Sequence, residues 1–207
     1  MRLIRRSAFK TSRWKNGGGV THEAIRVPSH GASFRWRISV AEIAAAGPFS
    51  DFAGYRRHMV LLEGGGLRLH FSYGASRELR RPGDLVEFDG ALRADCELVD
   101  GPCVDLNLLT ERAAVDADVR VATLNEPLAI DVVPGATRAV VCVAGEILVD
   151  GGDARRETLG RWDLAVLGDA RRAVLRTAGK PPNGALAFVA TIAARASLTF
   201  EGEDHGG

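Results

Sequence analysis

The chain has 207 residues, 46% of them hydrophobic, with 27 Lys and Arg set against 26 Asp and Glu. That apolar content can bury a sizeable core, which excludes a disordered chain, and a net charge of +1 leaves no electrostatic footprint for nucleic acid or an anionic membrane. No apolar run approaches the roughly 20 residues a membrane helix needs, and the basic start Met1-Arg2-Leu3-Ile4-Arg5-Arg6 lacks the apolar stretch of a secretory signal, so a cytoplasmic location is expected.

In chain order, the pattern predicts short strands broken by Gly, Pro and Asp turns. Residues 34–40 alternate, with Phe34, Trp36, Ile38 and Val40 on one face and Arg35, Arg37 and Ser39 on the other. Residues 41–46 read as a short helix stopped by Gly47-Pro48. Residues 60–62 and 67–71 flank Gly64-Gly65-Gly66, which reads as a hairpin. Further strands are expected at 85–88 and 103–109, then at 139–143, 146–149, 164–167, 173–176 and 186–192. Many short strands at regular spacing predict an all-β sandwich or barrel.

A faint internal repeat accompanies this. Gly65 with Leu67 and Leu69 resembles Gly145 with Ile147 and Val149, an offset of 145 − 65 = 80. Asp84-Leu85 resembles Asp163-Leu164, an offset of 163 − 84 = 79. Near-constant register points to duplication. The expected organisation is an N-terminal unit at 1–112, a connecting segment at 113–135, a C-terminal unit at 136–200 and a flexible tail at 201–207. Three cysteines, Cys96, Cys103 and Cys142, form no Cys-x-x-Cys pair and read as small buried hydrophobes.

Four ordered motifs carry a family resemblance. They are Trp14-Lys15-Asn16-Gly17-Gly18-Gly19 with Thr21 and Glu23, the segment Phe34-Arg35-Trp36-Arg37-Ile38-Ser39-Val40-Ala41, the segment Gly47-Pro48-Phe49-Ser50-Asp51-Phe52, and Asp105-Leu106-Asn107-Leu108. Together they resemble the HutD/Ves family, strongly over residues 5–112 and weakly beyond. The chain departs from the family pattern at Phe52-Ala53-Gly54, at Arg56-Arg57, at Asn107-Leu108-Leu109 and at Glu111-Arg112. The resemblance implies an all-β double cupin, often a homodimer, linked to histidine utilisation through N-formylglutamate or urocanate, with no firm catalytic activity.

The residues themselves bear on the site. The five histidines, His22, His30, His58, His70 and His205, include no pair at i, i+2, so no cupin metal site and no cofactor are expected. Neither triple glycine is followed by Gly-Lys-Ser/Thr, so neither is a phosphate loop. Gly17 to Gly19 serves either as a tight turn alone or as a turn that also walls a pocket. Ser50 has no neighbouring base, and no nucleophile is assigned.

Polar residues are striped along strands: Thr21 with Glu23, Arg35 and Arg37 with Ser39, and Asp105 with Asn107. A solvated sheet face is the plain explanation. Yet short or rigid hydrogen bonders with compensating charges are what a polar cavity inside a barrel requires. The expected ligand-binding set is therefore Lys15, Asn16, Thr21, Glu23, Trp36, Arg37, Ser39, Asp105 and Asn107. Arg37, with Lys15, would receive a carboxylate. Asn16, Ser39 and Asn107 would read amide or carbonyl groups, Glu23 and Asp105 would orient the basic groups or accept from a ligand N–H, and Trp14, Trp36 and Phe49 would wall the site. Three functions stay open: binding or sensing a small anionic metabolite, metal-free isomerisation or hydrolysis with Glu23 or Asp105 as general base, and a structural or protein-partner role.

Overall fold

The computed structural model describes residues 1–28, 33–131, 133–152, 156–168, 172–179 and 184–195. The strands of the first half are β1 (Arg2–Ile4), β2 (Lys10–Arg13), β3 (Gly19–Val27), β4 (Trp36–Ile43), β5 (Gly47–Pro48), β6 (Tyr55–Gly64), β7 (Leu67–Phe71), β8 (Ser76–Leu79), β9 (Leu85–Asp89), β10 (Ala94–Leu98) and β11 (Cys103–Glu111). Those of the second half are β12 (Val115–Thr123), β13 (Leu128–Ile130), β14 (Ala136–Ala144), β15 (Ile147–Asp150), β16 (Arg156–Leu159), β17 (Leu164–Leu167), β18 (Ala173–Thr177) and β19 (Leu186–Ala194). The one helical element among the described residues is a 3-10 turn at Arg6–Ala8, and no helix there is long and apolar enough to cross a membrane.

The strands form four sheets, and the buried residues show how these stack. Ile38, Val40, Leu106 and Leu108 from the six-stranded sheet β2-β3-β4-β11-β6-β9 share a core with Val141, Leu164, Phe188 and Ile192 from the five-stranded sheet β1-β17-β14-β19-β12. On its other face the six-stranded sheet packs Met59, Leu61 and Phe88 against Leu67, Leu69 and Phe71 of the four-stranded sheet β5-β10-β7-β8. The five-stranded sheet likewise packs Val140, Cys142 and Val189 against Ile147, Val149 and Leu175 of the sheet β13-β18-β15-β16. Strands buried on both faces explain the continuous apolar run of residues 59–62.

Strand order repeats with the chain. The order β4-β11-β6-β9 recurs as β12-β19-β14-β17, and β5-β10-β7-β8 recurs as β13-β18-β15-β16, each strand eight places further on. Residues 113–135 contain β12 and β13, both paired within this second set. The N-terminal β1 also joins the second set, through β17, and Arg5 holds Asp163 at 2.8 Å.

Two local expectations are corrected. Residues 41–43 continue β4 instead of forming a helix, because Ala41 is paired on one side with Thr21 and on the other with Asp105. A strand flanked on both edges satisfies its backbone groups in the ladders, and that overrides alanine's helix preference. The triple glycine at 64–66 is not a hairpin, since β6 and β7 lie in different sheets. It is the corner where the chain crosses between them: Gly64 and Gly66 take φ of +91° and +94°, and a Cβ on Gly65 would lie 1.9 Å from the Asp100 carbonyl oxygen. The three cysteines are buried and free, as expected, and burial pushes each thiol up to about 12. His30, His205 and the tail at 201–207 lie outside the described residues.

Candidate functional site

The inward face of the six-stranded sheet carries polar residues at one end, and ladder registers place them in rows. Glu23, Ser39, Asn107 and Met59 form one row across β3, β4, β11 and β6. In the next, Arg37 on β4 and Arg57 on β6 flank Leu109 on β11. Two strand spacings put these arginine backbones about 10 Å apart. Above this face lies a cavity of about 560 Å³, lined from the sheet by Thr21, Arg37, Ser39, Ala41, Arg57, Asn107 and Leu109. Phe49, Ser50 and Phe52 close one side, and Arg13, Trp14, Lys15 and Asn16 close another.

The glycine segment is what brings the second wall into place. Gly17 takes a φ of +73° in the turn between β2 and β3. Gly19 has no room for a side chain, because a Cβ there would lie 2.5 Å from the Glu42 carbonyl oxygen and 3.1 Å from the Trp14 ring. With that space open, Trp14 packs edge-on to Phe49 and donates from Nε1 to Thr21 Oγ1 at 2.8 Å. The glycines themselves do not line the cavity; the turn they form seats Trp14, Lys15 and Asn16 in its wall. Thr21→Val should remove this hydrogen bond and lower stability by about 1 kcal/mol, read from the urea midpoint together with a shift in Trp14 fluorescence.

The electrostatics are one-sided. Burial of Arg57 lowers its pKa to about 10, still cationic at neutral pH. Its guanidinium lies 4.6 Å from the Phe49 ring centroid, and its Nε donates to Asn107 Oδ1 at 2.7 Å. Asn107 Nδ2 donates in turn to Asp105 Oδ1 at 2.9 Å. Arg37 lies against Phe34 and Phe52, each 5.2 Å away, and its buried Nε has no hydrogen-bond partner. Burial lowers the Arg37 pKa, against a raising influence from Glu23. Among the described residues no carboxylate lines the cavity wall, so the buried Arg57 and the half-buried Arg37 face it with Arg13 and Lys15 exposed beside them.

Of the expected binding residues, Lys15, Asn16, Thr21, Arg37, Ser39 and Asn107 meet at this cavity. Trp36 does not: it points from the opposite face of β4 into the core between the inner sheets, as strand alternation requires once Arg37 and Ser39 face the cavity. Glu23 lies next to a bulge in β3 and lines a separate groove with Lys10 and Arg26. Asp105 is fully buried beyond Asn107 and does not reach the wall. Trp14 and Phe49 also line this cavity. Arg57 was missed, because the sequence has Arg56-Arg57 and only the register tells which of the two turns inward. Arg56 faces out and pairs with Glu87 at 2.8 Å. The described histidines serve elsewhere: His22 meets Glu42, His58 meets Glu87 and His70 meets Glu97.

Known proteins place this arrangement. A Pseudomonas putida protein named for its position in the hutC 3′ region is 40% identical over 110 residues, 53% of this chain and 57% of that protein, so the alignment spans little more than half of either. A conserved protein of unknown function from Pseudomonas aeruginosa PAO1 superimposes with a TM-score of 0.82 at 26% identity, over 94% of this chain and 99% of that one. HutD from Pseudomonas fluorescens SBW25 does so with a TM-score of 0.78 at 27% identity, over the same shares. At 11% identity, a TM-score of 0.64 to Lactobacillus farciminis oxalate decarboxylase, covering 93% of this chain and 86% of that one, shows the fold alone, an all-β cupin-like architecture. The family described as HutD matches residues 6–183, and with that span of the sequence accounted for, the chain belongs to the HutD family.

Proposed function

We propose that this protein is a cytoplasmic bicupin that binds or senses a small carboxylate intermediate of histidine degradation, N-formylglutamate or urocanate, in a metal-free pocket in its first half. The observation that carries the reading is the pair Arg37 and Arg57, held in a partly closed cavity with no acid on its wall among the described residues. Buried cations are costly unless matched, and a planar guanidinium fork suits a carboxylate. A volume of about 560 Å³ suits a small metabolite.

The repeated strand order supports the bicupin reading and supplies an internal comparison. Arg57 precedes the corner glycine Gly64 by 64 − 57 = 7 residues, and Arg138 on β14 precedes Gly145 by 145 − 138 = 7. Arg138 is fully buried and donates to the backbone carbonyls of Asp131 and Gly168. In the second half protein carbonyls take up the terminal nitrogens of this arginine. In the first half the terminal nitrogens of Arg57 have no such acceptor among the described residues, which fits an acceptor supplied by a ligand.

Asn107 has both ends of its amide engaged, so Ser39 and the Asn16 amide nitrogen are better placed to read the formyl or ring polar groups. Neither Glu23 nor Asp105 lines the cavity, which favours binding without turnover over general-base catalysis. Calorimetric titration with N-formyl-L-glutamate, urocanate, histidine and glutamate, followed by recovery of the ligand, tests the proposal. Saturable binding of one carboxylate, recovered unchanged, is the expected result. A converted product would make the protein an enzyme, and no heat from any of the four would remove the pathway assignment. Light scattering during size exclusion tests the accompanying expectation of a homodimer.

A further inference from the structure

Asn107 stands between two buried charges. Its Oδ1 accepts from Arg57 Nε at 2.7 Å and its Nδ2 donates to Asp105 Oδ1 at 2.9 Å. An amide has one accepting end and one donating end, so these bonds fix each other. A charged Asp105 only accepts, which obliges Asn107 to show it Nδ2 and to show Arg57 its oxygen. A neutral Asp105 carries an O–H and can donate. The bond from Asn107 Nδ2 then loses its charge-assisted strength, so Asn107 holds Arg57 Nε less firmly. Arg57 has no second hydrogen bond among the described residues to hold its fork, and the rings of Phe49 and Phe88, at 4.6 and 5.5 Å, tolerate many orientations.

The groups around Asp105 leave it as the titrating member. Arg57 faces it from β6, the Ala41 backbone amide from β4, Cys96 from β10 and Cys103 from its own strand, while Arg37 on β4 acts on Arg57. Burial outweighs the opposing pull of Arg57 and the Asn107 hydrogen bond and raises the Asp105 carboxyl from 3.8 to about 6. Both thiols lie near 12 and stay neutral, and Arg57 at about 10 stays charged.

We propose that Asp105 is a positioning residue: through Asn107 it sets the direction in which Arg57 presents its guanidinium to the cavity, so that the site holds a carboxylate when Asp105 is charged and releases it when Asp105 is neutral. This rests on the reading of the cavity as a carboxylate site.

Two measurements separate the inference from that reading. The first follows the Arg57 Nε–H resonance of the ligand-free protein by 15N NMR between pH 5 and 8. It should shift with a midpoint near 6 in the wild type and stay flat in Asp105→Asn. The second measures affinity for N-formyl-L-glutamate, whose carboxylates stay ionised across this range. Wild-type affinity should fall about tenfold from pH 7.5 to 5.0, equivalent to about 1.4 kcal/mol, with no such fall in the variant. An Arg57 resonance that ignores pH in the wild type overturns the positioning role, whatever binds. A resonance that titrates in a protein that takes up no carboxylate upholds the relay and overturns the reading of the cavity.

Discussion

Replacing Arg57 by methionine should lower stability by about 3–5 kcal/mol at pH 8 and by much less at pH 5. Methionine keeps most of the volume, so the loss reports charge more than packing. Arg57 is the main cation favouring ionised Asp105, and without it a fully buried carboxylate has only the Asn107 hydrogen bond and backbone amides. The sign follows from the direction of the shift. Asp105 is raised in the folded state, so folding favours its protonated form, and stability falls as pH rises from the ordinary aspartate range through the folded value of about 6. Removing the arginine moves that folded value further up and widens the window. Urea denaturation at pH 5 and pH 8 reads the difference. The double variant Arg57→Met with Asp105→Asn should regain most of the loss at pH 8, because removing both members of a buried charge pair costs far less than removing one. A pH-independent deficit in the single variant would mean that packing, not charge, is what Arg57 supplies.

Arg37→Ala should weaken binding of N-formyl-L-glutamate on the order of 100-fold, about 3 kcal/mol, while leaving the protein folded. The asymmetry between affinity and stability comes from the partners. Arg37 makes no hydrogen bond within the described residues, so its removal strands no acceptor. Its guanidinium instead lies over the Phe34 and Phe52 rings, and each of those stacking interactions is worth about 1 kcal/mol at most. Arg37→Lys should recover little of the affinity, since a point charge cannot reproduce a two-pronged contact. Calorimetry paired with circular dichroism and a urea midpoint checks both halves, and an unchanged Kd would remove Arg37 from the site.

The amino-acid sequence by itself determined the strand-rich fold, the family and most of the cavity's lining. Period-two alternation is a local property, so Arg37 and Ser39 on one face and Trp36, Ile38 and Val40 on the other are legible without coordinates. The same alternation already contradicted placing Trp36 beside Arg37 in one site. The spacing of Gly65 and Gly145 pointed to the repeat, although the positive φ of Gly145 has its counterparts in Gly64 and Gly66 and not in Gly65 itself. What only the tertiary structure decided depends on which strands are neighbours. The fate of residues 41–43 turned on β3 and β11 occupying both edges of β4. The triple glycine became a corner between sheets, and β1 crossed to the far half of the molecule, because pairing partners are set by the closing of the whole fold. Arg57 is the main case. Its neighbour Arg56 has the same charge and the same local surroundings, and the two are told apart by a register that aligns Arg57 with Leu109 and aims it past Asn107 into the cavity. A one-residue slip of that ladder would have exchanged them, and nothing in residues 55–58 alone fixes it.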